Sequence, residues 1–452
     1  LQNFPFMKSR QHSRIFLLAL FLGTSSLWWS CQKSDENNQA EPQPKAYDAS
    51  LPQSWMYFSY DAVKNQGWFA LDASRLYAYA AITAYESMVH SLPNGRSLVG
   101  QLQGLTNLPQ PVPGKTYDWG MVLCHAMPQV LEEMMPTMVD ASRTRMTTIA
   151  RSQETALVGK HDLSPQVIAD SKQFANELAE AIILWSRQDN RLGMENLAYT
   201  YPSRVGNPQF WDGSTLGQTF MMPYWWTSRP FVIQSYNICE VEAPHPYSEA
   251  PNSIYYKDVK EVYDASFDPT KVFIGRYWAN NPLQSGTPAG SWLAIANQLV
   301  DQYDLDLATT LKMYVLMTIG TRDAFIACWH LKYKYNLQRP VSYIRNVMGQ
   351  TSWSSPVPTP PYPDYTSGTS TNAGISSELL TRLFGVRAFV DTQHTDKQDL
   401  GVREFASFKQ AGVEAFHSRI YGGVHMRRAC ELGFKQGECI GEYLWTNLEF
   451  TK

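Results

Sequence analysis

From about residue 51, apolar side chains recur every three to four residues along most of this chain, the spacing of helices that bury one face. Residues 71–89 are the clearest case, with Leu76, Tyr79, Ala80 and Thr83 on one stripe of an alanine-rich segment. Residues 118–135 predict a second helix. Ser164 before Pro165 predicts an N-cap with proline at the first helical position, opening a helix to Trp185 whose buried face carries Val167, Phe174, Leu178 and Ala181. The period fades over residues 190–258, rich in Pro, Trp and Tyr, where an irregular connection with short strands is expected. It returns over 291–302, 305–331, 372–384, 397–416 and 424–448. The fold class predicted is all-α: one helix group over 51–190, an irregular crossover over 191–285 and a second group over 286–452, packed as two bundles sharing an interface.

The first 50 residues break the pattern. Lys8, Arg10 and Arg14 precede an apolar run at 15–22 and small residues ending at Cys31, which reads as a signal segment over 1–30, too short to span a membrane. Residues 31–50 read as a polar tether behind a lipid-bearing Cys31; ordinary signal cleavage, with Cys31 in a free tail, is the alternative. The acidic QKSDE after the cysteine resembles the export tag of surface lipoproteins in some gram-negative bacteria. The expected location is exported, in a bacterial cell envelope, with lipid as the membrane contact.

Composition narrows the classes of partner. The chain has 452 residues, 44% hydrophobic, and a net charge of −3 that becomes −6 once the three cations of the signal segment are removed. Such a balance excludes a nucleic-acid footprint. Apart from Cys31, five cysteines (Cys124, Cys239, Cys328, Cys430 and Cys439) stand far apart, with no Cys-x-x-Cys pair. Neither a disulfide framework nor a zinc site is expected; buried free thiols are, with one bridge as the alternative.

Three segments of the C-terminal quarter carry the chemistry: KYKYNLQRP (332–340), YTSGTS (365–370) and SRIYGGVH (418–425). Lys332 should lie near the end of a long helix, with a helix boundary at Arg339 set by Pro340. Ser367 and Gly368 precede a helix from Asn372, so backbone N–H groups and hydroxyls form an anion site that Gly368 leaves open to close approach. Arg419, a Gly422-Gly423 break and His425 at the head of another helix complete the set. Lys, two Arg, a Ser-Gly turn and a His are the donors that a tetrahedral oxyanion requires.

In this order the segments resemble the signature of the type 2 phosphatidic acid phosphatases and vanadium-dependent haloperoxidases. Lys332 to Pro340 matches the first element in full, and Ser418, Arg419 and His425 match the third as far as its His. RDAFIACW (322–329), PYWWTSRPF (223–231) and TPAGSW (287–292) favour the soluble haloperoxidase branch, and with them the resemblance spans roughly residues 70–445. It implies that Lys332, Arg339, Ser367, Gly368 and Arg419 hold the equatorial oxygens of vanadate or phosphate. His425 would be the axial ligand of vanadate in a haloperoxidase, or the nucleophile of a phosphatase that needs no cofactor.

The pattern also departs from the family. Thr369 stands where the second motif has the His that handles protons, and a Thr hydroxyl has no pKa near neutrality. Thr366 replaces the motif's Pro. Ala429 replaces the Asp that fixes the axial imidazole, at i+4 from His425, and Ser291 stands where relatives often carry His. His330, His394 and His417 are the candidates to replace the missing acid. Oxyanion binding should survive better than turnover. Two functions follow: a weakened exported haloperoxidase or acid phosphatase acting on a small oxyanion or phosphorylated molecule, or an inactive surface lipoprotein that binds a phosphate-type ligand or a protein partner.

Overall fold

Helices dominate the computed structural model, which describes residues 47–452 except Asn196, Ser214, Thr215 and Gln398. Cys31 and the expected signal and tether lie outside the described residues. In chain order the helices are α1 (Ser50–Gln66), α2 (Ala70–Met88), α3 (Trp119–Met134), α4 (Asp140–His161), α5 (Pro165–Ser186), α6 (Ile254–Ala265), α7 (Pro269–Tyr277), α8 (Thr287–Gln302), α9 (Leu307–Tyr335), α10 (Pro340–Asn346), α11 (Gly368–Phe384), α12 (Phe408–Tyr421) and α13 (Arg427–Asn447). Side-chain caps start several of them: Asp118 accepts from Met121 N–H at 2.9 Å, Ser164 from Val167 at 3.3 Å and Asp306 from Thr309 at 2.7 Å. Each satisfies one of the donors a helix start leaves open.

α9 is the axis of the fold. It packs against α2 on one side and α11 and α13 on the other, and one continuous apolar cluster runs from α1 to α13. Because neighbours surround it, α9 buries residues around its whole circumference from Thr310 to Lys332. The α11–α13 crossing needs glycine: a Cβ on Gly374 would lie 2.1 Å from Phe434 O, and one on Gly437 2.0 Å from Thr371 O. This backbone contact brings the start of α11 against the start of α13, where Ser367 N–H donates to Ala429 O at 3.0 Å.

Several expectations change. The crossover contains α6 and α7, and among its described residues there is no strand, only a short 3-10 turn at Trp225–Thr227. The helix expected over 397–416 begins only at Phe408. Before it, β1 (Phe389–His394) and β2 (Gly401–Phe405) form an antiparallel hairpin pairing Phe389 with Phe405 and Asp391 with Arg403. α4 was invisible to periodicity because it buries only Ser142, Met146 and Leu157. α13 starts at Arg427, so His425 sits in the turn before it, and Arg339 caps α10 rather than ending the helix of Lys332.

Buried charge ties the crossover to the core. Asp323 of α9 accepts from the N–H groups of Phe231, Val232 and Ile233 at 2.7, 2.8 and 3.1 Å, while burial pushes its carboxyl up to about 6. Its neighbour Arg322 reaches Asp189 at 3.2 Å, and Arg75 reaches the same carboxylate at 2.7 Å. RDAFIACW and PYWWTSRPF, linked only by resemblance in the sequence, are therefore one contact. A disulfide joins Cys239 in the crossover to Cys439 on α13, across 200 residues, and Cys124, Cys328 and Cys430 remain buried thiols.

Candidate functional site

Lys332, Arg339, Ser367, Gly368, Arg419 and His425 all lie in the buried ground between α9, α10, α11 and the α12–α13 turn. Lys332 emerges from the last two turns of α9 and donates Nζ to the carbonyls of Pro363 at 2.9 Å and Asp364 at 3.2 Å, and to Thr366 O. Arg339, fixed at the cap of α10, donates Nε to Tyr362 O at 2.7 Å and Nη1 to Val424 O at 2.7 Å, and lies 3.0 Å from His425 Nε2. Arg419 reaches Trp278 O at 3.5 Å. Ser367 caps α11, its Oγ accepting from Ser370 N–H at 3.3 Å. A Cβ on Gly368 would rest at ordinary distance from Trp329 and Phe325, 3.5 and 3.6 Å. That glycine's open side therefore faces α9.

Burial sets the electrostatics. It presses the Lys332 ammonium down to about 7, with Arg339 adding to the effect and Asp364 opposing it. Burial, then Arg339, Lys332 and Arg419, holds His425 well below the usual imidazole range, so the ring is neutral. Burial likewise raises Asp364 to about 7 against the pull of Arg339 and Lys332. Lys332 and Asp364 thus offset each other near neutrality, while both guanidiniums stay charged. The cluster keeps an excess of about two positive charges, and Arg339 Nη2 and Arg419 Nε have no protein acceptor. Buried charge without a partner is costly, so this arrangement calls for an anion.

Asp364 is the functional candidate that motif reading missed. Its Oδ1 lies 2.9 Å from His425 Nδ1 and 3.8 Å from Arg339 Nη1, in a wholly buried side chain. One signal was available: Asp364 is the sole carboxylic acid, and no Lys, Arg or His occurs, in SSPVPTPPYPDYTSGTS, residues 354–370. Ala429 offers His425 no acceptor side chain, and its carbonyl serves Ser367 instead.

A cavity of about 150 Å³ adjoins the cluster, lined by Thr369, Arg419, Trp329, Met221, Pro288 and Tyr362 among others. Tyr362 lines it, and its ring centroid lies 5.0 Å from Lys332 Nζ and 4.8 Å from the Arg339 guanidinium carbon. No histidine lines this cavity. His330 packs against Trp226 and Tyr236, His394 contacts Tyr277 O at 2.8 Å and His417 contacts Val413 O at 2.9 Å, so none of the three is placed to replace the acid at Thr369. Ser291 turns its hydroxyl to Pro288 O at 3.1 Å. Among the described residues there is no cluster of three or more His, Cys, Asp and Glu able to hold a metal cation.

Known structures share this architecture. A bacterial vanadium-dependent iodoperoxidase is 31% identical over 91% of this chain and 99% of its own, with a TM-score of 0.81. The chain belongs to the vanadium haloperoxidase family. The family's model of the VCPO second helical-bundle domain matches residues 312–451, the stretch that contains all three motifs. Apo and holo forms of a bacterial vanadium-dependent chloroperoxidase share the fold at 16 and 17% identity, with TM-scores of 0.63 and 0.60. No curated protein sequence matches the chain. In this haloperoxidase-family member Lys332, Arg339, Ser367, Gly368, Arg419 and His425 are all buried, with Thr369 and Ala429 in the same ground.

Proposed function

We propose that the buried cluster binds vanadate or phosphate, and that the protein is an exported haloperoxidase-type enzyme whose turnover is reduced by Thr369 and Ala429. The observation that carries this reading is the excess of buried positive charge, with Arg339 Nη2 and Arg419 Nε lacking acceptors. The donor set fits a tetrahedral oxyanion: Lys332, Arg339, Arg419 and the Ser367-Gly368 turn would hold its oxygens, and His425 would offer it a ring nitrogen. Bound vanadate would supply Lewis-acid activation of peroxide for halide oxidation. Similarity to the iodoperoxidase makes iodide the halide to try first. Phosphate ester hydrolysis at the same pocket would need no cofactor.

The chain's own residues divide the work. The guanidiniums neutralise the anion, Tyr362 and the proline-rich loop shield it from water, and the neutral imidazole of His425 offers a lone pair. What is lacking is an acid at the cavity wall. Loss of a general acid typically lowers a rate by about 10²- to 10⁴-fold, so binding would outlast turnover. The alternative, a surface lipoprotein that binds the oxyanion without catalysis, is favoured by the absence of any histidine from the cavity lining. Export and the lipid on Cys31 belong to the same proposal, and the Cys239–Cys439 bridge supports an oxidising compartment.

Titration calorimetry with orthovanadate and with phosphate tests the binding reading, beside Arg339→Met and Arg419→Met. Iodide oxidation with peroxide and p-nitrophenyl phosphate hydrolysis test turnover. Binding that both arginine variants abolish supports the pocket. Wild-type protein with no affinity for either anion removes the enzymatic and the binding readings together.

A further inference from the structure

We propose that Asp364 is the positioning residue of His425: its carboxylate takes the Nδ1–H of the imidazole and leaves Nε2 as the lone-pair atom that meets the oxyanion. The geometry selects this tautomer from both edges of the ring. On one edge, Asp364 Oδ1 lies 2.9 Å from Nδ1, and a carboxylate can only accept. On the other, Arg339 Nη1 lies 3.0 Å from Nε2, and a guanidinium can only donate. Nη1 is also 3.3 Å from Nδ1, but that longer contact competes with a closer carboxylate.

Asp364 could instead be an internal substitute for the anion, neutralising the arginines. The distances argue against it. Its separation from Arg339 Nη1 is 3.8 Å, beyond hydrogen-bond reach, whereas the imidazole is within it. Both backbone ends of the residue are also pinned: its N–H donates to Leu337 O at 2.8 Å and its carbonyl accepts from Lys332 Nζ at 3.2 Å. The 2.9 Å contact falls short of full hydrogen-bond geometry, the Met426 N–H also faces the carboxyl, and the Asp364 backbone carbonyl is a second acceptor beside the ring, which the Asp364 variants leave in place.

The inference therefore moves the carboxylate that the family places at Ala429 to a different segment, the loop leading into α11. A second-shell acceptor on a ligating imidazole fixes its tautomer and raises its basicity, and losing one typically costs about 10- to 100-fold in affinity. This role rests on His425 being the anion-facing residue of the proposed function.

Ring-nitrogen NMR of ¹⁵N-histidine-labelled full chain, recorded without added oxyanion and assigned with His425→Ala, tests it. The expected wild-type spectrum shows His425 protonated at Nδ1 alone. Asp364→Ala, and Asp364→Leu as an apolar variant of similar size, are expected to release the ring to an Nε2–H form or a mixture. Circular dichroism monitors their fold, and Asp364→Glu should restore the wild-type pattern. Vanadate affinity, measured separately, should fall about 10- to 100-fold in the Ala and Leu variants and recover with Glu. A folded variant that keeps Nδ1–H unchanged overturns the proposal. So does a wild-type ring protonated at Nε2, which decides the matter even if both variants fail to fold. The tautomer is read without the anion, so failure of vanadate to bind would count against the proposed function and leave this result standing.

Discussion

Replacing Thr369 by His should restore turnover while leaving anion affinity within a few-fold of wild type. Thr369 is 9% exposed and lines the 150 Å³ cavity beside Arg419. His adds three heavy atoms to the Thr side chain, and that cavity is the size of roughly five waters at about 30 Å³ each. The ring can therefore enter without displacing Trp329 or Tyr362. If the missing acid is what limits the wild type, the gain is about 10²- to 10⁴-fold, or roughly 3–5 kcal/mol of barrier at 1.36 kcal/mol per decade.

The sign of its pH dependence also follows. Burial and Arg419 will depress the new imidazole's pKa, as burial and the same cations depress that of His425. A bound oxyanion opposes this by favouring the charged ring. The gain should therefore be largest on the acid side of neutrality and fade as pH rises. The assay is iodide oxidation by peroxide after vanadate loading, with p-nitrophenyl phosphate hydrolysis as the second reaction, and vanadate affinity is measured on the same samples. A Thr369→His protein that binds vanadate like wild type yet gains less than about tenfold in both reactions would refute the reasoning.

Two further outcomes are open to measurement. Lys332 is pressed down to about 7 by burial, and a neighbouring anion restores its charge, so oxyanion binding above that pH takes up a proton. Sulfate, whose charge is constant across the range, should bind more weakly as pH rises from 7 to 9, by up to about tenfold per pH unit from Lys332; Lys332→Met should remove that share of the slope, and an affinity that is flat or rises with pH contradicts it. The Cys239–Cys439 bridge closes a loop across 200 residues, for which chain entropy gives about 5 kcal/mol and typical bridges 2–4 kcal/mol. Paired Cys→Ser substitution should lower the thermal midpoint by a clear margin, and an unchanged midpoint would mean the crossover is held by Asp323 and its neighbours alone.

What the sequence revealed divides by physical cause. The three motifs were legible because each is contiguous and they follow one another in a set order and spacing, so their meeting in one place needed only the helical fold. α5 was legible because it packs an apolar stripe on the core, and α2 because its alanine-rich text favours helix although it is buried nearly all round. α4 was not, since a helix that buries three residues leaves no period to read. The second strand of the hairpin before α12 was taken for helix, and the first went unread, because the strands are only six and five residues long, too short for alternation to outweigh the helical text that follows.

Asp364 was hidden for a different reason. Motif reading assigns a role to a position, so a change of Asp to Ala at residue 429 reads as the loss of a function. In the folded chain the function belongs to a place beside Nδ1 of His425, and any segment that reaches this place can fill it. The proline-rich loop does so because Lys332 gathers three of its carbonyls, those of Pro363, Asp364 and Thr366, and turns the loop back on the imidazole. The same ammonium that is expected to hold the oxyanion thus also fixes the loop residue that lies beside His425. Of the three His or Asp positions that the motifs read as changed, Ala429 is offset in the proposal by Asp364, while no histidine lines the cavity at Thr369 and Ser291 keeps its hydroxyl on Pro288 O, so a loss of turnover is expected in proton transfer at the cavity wall.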